Sequence, residues 1–291
     1  MITKAHILSL IVIVLLYIGV AIWKWAPETN QQEELSSNVS IKDAAAPTLQ
    51  FWEYYDLATQ LRSEGLYSKA AEQYSKALEF NKNHKDALYY AGSMNLMSKD
   101  FESAYNYWNQ LLKEEPNAPR TNLQLGTLHF CMDQDNPYFH IEKAYHFFSE
   151  AWELNLEESG APLLLAKIHL LINEQQQAEK LLSDILSLNT TNEQALFLTG
   201  FLSWRSGDIQ KARQFLSRSR AYVNRDKNSG HLGEGATKSG NAMLLQDRYC
   251  DGFEVTFKDL MQNWPDLGAD KSYLLFENRI SIWREEFKIN G

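Results

Sequence analysis

Cysteine is scarce in this chain of 291 residues: Cys131 and Cys250 lie far apart and in no metal-ligand spacing. That count excludes a disulfide framework and leaves the redox compartment undecided. Basic charge is also in deficit. The 28 Lys and Arg face 37 Asp and Glu, a formal net charge of -9, which argues against nucleic acid or an anionic lipid surface as the main partner. No catalytic constellation emerges. Gly230 to Ser239 has the glycines of a phosphate-binding loop, but Lys238 comes two residues late and no buried strand precedes it; the segment reads as a connector. His231, Glu234, Asp247 and Cys250 are metal-binding side chain types without standard ligand spacing, which speaks against a metal site. With 44% hydrophobic and 12% aromatic residues, the composition is nonetheless that of a folded chain.

One long apolar run is present. No charge occurs from Ile7 to Ile22, and Trp23, Lys24 and Trp25 close the run with two interfacial aromatics and a lysine able to snorkel. With these flanks it spans roughly 17–19 residues, at the short end of what crosses a bilayer. A removed signal peptide would have a shorter apolar core, and no small-x-small cleavage site follows. Residues 1–25 therefore read as an uncleaved transmembrane anchor. Lys4 and the amino terminus precede the run, while Glu28, Glu33 and Glu34 follow it, so the body is expected on the non-cytoplasmic (periplasmic) side. Residues 26–50, rich in Gln, Glu, Ser, Asn and Ala with Pro27 and Pro47, read as a flexible, solvated spacer.

From Phe51 onward a pattern recurs. Ala70, Ala104, Ala144, Ala178 and Ala212 lie 34, 40, 34 and 34 residues apart, and each is followed four positions later by a bulky residue: Tyr74, Trp108, Phe148, Leu182 and Leu216. A fixed period in this range predicts helical units stacked side by side. Such stacks bury their core between neighbours and leave one long face free. Small residues at Ala58, Gly92, Gly126, Ala166 and Gly200 let the two helices of a unit approach closely, and the bulky residue is expected to fill the hole between them and the next unit. Pro116 ends a helix, and a six-residue insertion around Asp133 to Phe139 lengthens the third turn.

On these residues the chain resembles the tetratricopeptide repeat family, whose pattern wants a small residue at position 8, Ala at position 20 and a large residue at position 24. The resemblance covers residues 51–226 in five units (51–84, 85–118, 119–158, 159–192 and 193–226) and implies an all-α solenoid. The proline that the family has at position 32 survives only as Pro116. Residues 227–291 comprise a Gly-rich connector, a degenerate sixth unit on Phe253, Phe257, Leu260 and Pro265, and an amphipathic helix from Lys271 to Phe287 with Leu274, Leu275, Ile280 and Trp283. That last helix is expected to cap the open end of the array.

The resemblance also implies that positions 2, 5, 9, 12 and 13 of each first helix line a concave groove. Mapped onto this chain, the partner-binding candidates are Trp52, Tyr55 and Arg62 in the first unit and Tyr89 in the second. Arg120, Leu123 and Phe130 come from the third unit, Lys167 from the fourth, and Phe197, Phe201, Trp204 and Arg205 from the fifth. This face is aromatic with mainly basic charges, and Trp, Tyr and Arg are the usual interface anchors. The competing reading is that these side chains pack beneath the protein's own helices. The carboxylate clamp known in the family is absent, since Tyr55, Thr59 and Tyr90 stand where it needs Lys and Asn. A protein or peptide with an apolar or helical segment is the expected partner. His129 and His169 fall at position 11 of their units and read as packed core residues.

The chain is therefore expected to be a non-enzymatic scaffold without cofactor, tethered to a membrane by its N-terminal helix and holding a polypeptide. It is similar in layout to bacterial envelope proteins that join one span to a repeat domain, which implies a role in translocation-associated chaperoning or cytochrome c maturation. Two alternatives stay open: a cytoplasm-facing adaptor that recruits an enzyme, and a metal-binding or catalytic C-terminal tail.

Overall fold

A computed structural model describes residues 29–131, 137–228, 256–257, 259–263 and 266–286. Among the described residues every regular element is helical. The chain divides into two units, Met1–Trp52 and Glu53–Gly291. The described part of the first is a single stretch of helix α1 (Thr29–Ser63). The spacer expected over 26–50 is thus helical from Thr29 onward, with Pro47 inside the helix. Gln, Glu, Leu and Ala are good helix formers, so a solvated composition does not prevent helix. The anchor expected over 1–25 lies outside the described residues. Among those that are described, no helix is long and apolar enough to cross a membrane.

In the second unit helices follow one another in pairs. After the end of α1 come α2 (Tyr67–Phe80), α3 (Lys85–Met97) and α4 (Phe101–Glu114). They are followed by α5 (Pro119–Phe130), α6 (Ile141–Leu154), α7 (Gly160–Leu171), α8 (Gln175–Leu188), α9 (Glu193–Arg205) and α10 (Ile209–Asn228). The turns inside the first, second, fourth and fifth pairs each pass through one left-handed residue: Gly65, Lys99, Asn173 and Gly207 have φ between +61° and +87°. Glycine takes this conformation without Cβ strain, and asparagine tolerates it better than most residues. Side-chain caps start some of the helices, as where the Asp100 carboxylate accepts from Ser103 N at 3.1 Å and the Asn192 carbonyl from Ala195 N at 2.9 Å.

Packing within a pair rests on a size match. Ala70, Ala104, Ala144, Ala178 and Ala212 are fully buried, as are Tyr74, Trp108 and Phe148. A Cβ at Gly92 would overlap the Trp108 indole, and one at Gly126 would stand 2.5 Å from the Phe148 ring. The small residue of the first helix is therefore a socket for the bulky residue of the second. Polar ends are satisfied at the same place: Trp108 Nε1 donates to Tyr89 O at 3.2 Å, and the Thr59 and Tyr74 hydroxyls lie 3.0 Å apart.

The third pair carries the insertion. Its far end is fastened to α5 at one residue: His140 N donates to His129 O at 2.9 Å, and His129 Nδ1 lies 2.6 Å from Tyr138 O. The His129 ring also stacks on Phe147 at 5.7 Å. With Nδ1 bound to a carbonyl, the proton sits there, and Nε2 is buried without a hydrogen-bond partner. Burial therefore depresses the His129 pKa below its ordinary value.

After α10 the described chain resumes at residue 256, forms a π turn at Asp259–Asn263 and ends in helix α11 (Ala269–Glu286). The described residues of the expected sixth unit thus hold a π turn, while Phe253 and Pro265 lie outside the described residues. Arg220 of α10 holds this segment, donating to Leu267 O at 2.7 Å, Leu260 O at 3.2 Å and Ser272 Oγ at 3.2 Å.

Two outcomes follow from these contacts. Gly92→Ala forces the Trp108 ring from its socket and is expected to destabilise the chain by about 1–3 kcal/mol, read as a lower urea midpoint at unchanged slope. Because the unfolded His129 binds a proton near pH 6.5 and the folded one only at lower pH, its contribution is fully present above about pH 6.5 and is lost as pH falls below that through the lower folded value. The melting temperature should drop between about pH 8 and about pH 5.5, and His129→Gln should flatten that dependence.

Candidate protein-interaction surface

The expected groove residues fall into two groups. The first is closed by the chain itself. Phe197 and Phe201 of α9 are 1% and 0% exposed because α11 lies on them. The Phe276 ring meets Phe197 at 5.0 Å and Phe201 at 4.8 Å, both edge-on, and the Tyr273 ring meets Phe197 at 5.3 Å. The Trp204 ring stacks on Phe201 and lies 6.4 Å from Tyr273. Arg205 Nε pairs with the Glu277 carboxylate at 3.3 Å.

At its far end α11 reaches α7. Arg284 donates from Nε to Leu171 O at 3.1 Å, a carbonyl at the open end of α7, and from Nη2 to Leu170 O, which also accepts from Asn173 N. The open surface expected at Phe197 and Phe201 is therefore corrected: both are buried under the chain's own α11, while Trp204 and Arg205 are half-buried beside it. The physical reason is area, since burying each aromatic ring stabilises by about 1.5–3 kcal/mol. The last helix was expected to cap the end of the array, and it also lies over this inner face. Phe130 and Lys167 are likewise buried, 8% and 3% exposed, with Phe130 edge-on to Phe148 at 6.1 Å.

The second group remains accessible. Tyr55, Arg62, Tyr89 and Leu123 are half-buried and Arg120 is exposed. In the other unit, Trp52 is 46% exposed. Tyr55, Tyr74, Tyr90 and Tyr89 form a continuous chain of rings at centroid distances of 5.4, 5.8 and 5.4 Å. The Arg62 guanidinium lies 3.9 Å from the Tyr90 ring centroid and the Arg120 guanidinium 4.7 Å from that of Tyr89. Gln124 Nε2 donates to the Tyr89 hydroxyl at 3.4 Å. Burial, with the nearby Asp86 carboxylate as a smaller cause, pushes the Tyr55 phenol up to about 12. Tyr55 thus stays a neutral hydrogen-bonding group at any physiological pH. Sequence reasoning missed the roles of Tyr90 and Gln124, because ring–guanidinium pairs 28 or more residues apart leave no local signal.

Several other residue groups bear on chemistry. Among the described residues no cluster of His, Cys, Asp or Glu is placed to hold a metal ion. His169 Nδ1 lies 2.7 Å from the Glu174 carboxylate, and its ring packs edge-on to Tyr145. His231, Glu234, Asp247 and Cys250 lie outside the described residues. Cys131, at the end of α5, is disulfide-bonded. On the opposite face of α9 a cleft of about 830 Å³ runs between α8 and α10. Its Thr199 and Ser203 hydroxyls donate to carbonyls of their own helix, so they do not converge on a ligand.

No family profile matches this sequence, and no characterised protein matches it by sequence. Solved structures do match the fold. MamA from Desulfovibrio magneticus RS-1 superposes with a TM-score of 0.53 at 15% identity, over 60% of this chain and 96% of MamA. A MamA RS-1 double mutant gives a TM-score of 0.54 at 15% identity, over 62% of this chain and 97% of its own. PilF of Pseudomonas aeruginosa gives 0.51 at 16% identity, over 80% of this chain and 99% of PilF. At these identities the likeness is one of fold: the helix pairs stack in the all-α array that the repeat pattern predicts.

Proposed function

We propose that this chain is a membrane-tethered scaffold that holds a polypeptide on the inner face of its first three repeat units. One observation carries the reading: the inner face of units four and five is closed by α11, whereas Tyr55, Tyr89, Tyr90, Arg62 and Arg120 stay accessible on the other half. Rigid aromatic side chains with an arginine at each end are what interface anchors are made of. A stack of helix pairs supplies a surface and no reaction chemistry. The apolar partner expected from the sequence drew on Phe197, Phe201 and Trp204, which α11 engages; the open half favours a partner with polar as well as aromatic groups.

The tether is the apolar run at Ile7–Ile22, and the body is placed on the periplasmic side. The disulfide at Cys131 supports that side, since such bonds persist in oxidising compartments, and it disfavours the cytoplasm-facing adaptor. A role in envelope protein assembly, as a translocation-associated chaperone or in cytochrome c maturation, fits this placement.

A photo-crosslinking residue at Leu123 in the full-length chain should trap a discrete polypeptide, while one at Lys180, on the exposed surface of α8, should not. Equal trapping at both positions, or none at Leu123, overturns the reading. In cells, Cys131 should resist maleimide labelling until a reductant is added; labelling without reductant would place the repeats in the cytoplasm.

A further inference from the structure

We infer that the open inner face of units one to three takes an acidic segment whose carboxylates pair with Arg62 and Arg120 on either side of the Tyr89–Tyr90 pair. The inference deepens the scaffold reading and rests on it. Its warrant is an arrangement that occurs three times on the inner face, once with its ligand in place.

On α9, Arg205 lies over the Phe201 ring, 5.8 Å from its centroid, and Glu277 of α11 places a carboxylate 3.3 Å from Arg205 Nε. The acid arrives beside an aromatic residue, Phe276, which packs on the same Phe201 ring. The inner face here binds an amphipathic segment by one rule: an aromatic ring packs on a ring, and a carboxylate meets the stacked guanidinium. Arg62 over Tyr90 and Arg120 over Tyr89 repeat the first half of that rule at closer range, 3.9 and 4.7 Å. Neither arginine has a carboxylate within ion-pair distance among the described residues, although Arg205, Arg213 and Arg284 all do. The Asp86 carboxylate, exposed on the same helix as both tyrosines, acts on Tyr55 alongside Arg62. In a chain of net charge -9, two stacked guanidiniums with no ion-pair partner among the described residues favour an acidic partner.

The geometry also favours carboxylates over a generic anion contact. A guanidinium stacked on a ring loses little freedom on binding and keeps its edge N–H groups for a bidentate pair. Two such groups flanking two tyrosines read a segment with an acid at each end and apolar or aromatic side chains between. Helix α11 supplies one half of that composition, Glu277 beside Phe276.

The test measures fluorescence anisotropy on the purified full-length chain. The probe is a short fluorescein-labelled peptide alternating glutamate with leucine and tyrosine, and its counterparts carry glutamine or lysine for glutamate. The acidic peptide should bind at least about tenfold tighter than the glutamine one, and more weakly as salt rises. Arg62→Gln and Arg120→Gln should each lower affinity about tenfold, and Arg62→Lys should not restore it. Arg218→Gln, at an arginine over Phe215 outside the inner face, should change nothing. Circular dichroism confirms that each variant is folded. Equal binding of the glutamine peptide, tighter binding of the lysine peptide, or indifference to both arginine substitutions overturns the inference. If trapping at Leu123 persists in that case, the scaffold reading stands and only the acidic partner falls; if both fail, both fall.

Discussion

The whole array depends on one steric constraint, the seating of a bulky side chain from each second helix against a small residue on the first. Trp108 over Gly92 and Phe148 over Gly126 leave no room for even a methyl group. Close-packed interiors tolerate neither a gap nor an overlap at such a contact. Because the socket recurs at a fixed period, each pair presents the same faces, and the inner positions of successive first helices line up. The aromatic ladder from Tyr55 through Tyr74 and Tyr90 to Tyr89 is a by-product: Tyr74, the bulky residue of unit one, bridges inner residues of units one and two.

The fifth unit bends this rule. Gly200 stands where a socket belongs, but a Cβ there would collide with the Tyr273 hydroxyl of α11 as well as crowd Phe215 of α10. Tyr273 OH in turn donates to Ala212 O at 3.3 Å, at the alanine of the same unit. The last helix thus enters the array through its terminal socket and then runs over Phe197 and Phe201 towards α7. Its buried residues, Ala269, Tyr273, Phe276, Ile280 and Trp283, recur at helical spacing and belong to the same core as the fourth and fifth units. It is part of the fold, and the inner face it leaves uncovered is that of the first three units.

Much of this was legible in the residues. The 34-residue period, the alanines and the size alternation are local and periodic, so they report helix pairing without knowledge of contacts. The α11 helix was visible too, as an amphipathic segment with Ile280 and Trp283 on its apolar face, but Leu274 and Leu275, read onto that face, are exposed, and Tyr273 and Phe276 are buried instead. Its destination was not visible, because a stripe says that a helix is covered and not by what. The same limit applies to Phe197 and Phe201, whose family positions suit an open groove as well as a closed one. Arg62 and Arg120 could be placed on the inner face from their register. Their stacking on adjacent tyrosines of another unit is a tertiary fact with no sequence shadow. The helical backbone over 29–50 was missed because polar composition was read as spacer, although the same residues are good helix formers.

Arg284 bonds to carbonyls of Leu170 and Leu171, residues more than a hundred positions earlier. Helix pairs can form as soon as they leave the ribosome, since their contacts are local. The closure over Phe197 and Phe201 cannot, because the helix that makes it follows the repeats it covers. Until that helix emerges, a nascent chain carries a bare phenylalanine patch on finished repeats, so the order of synthesis sets how long those rings wait for their cover.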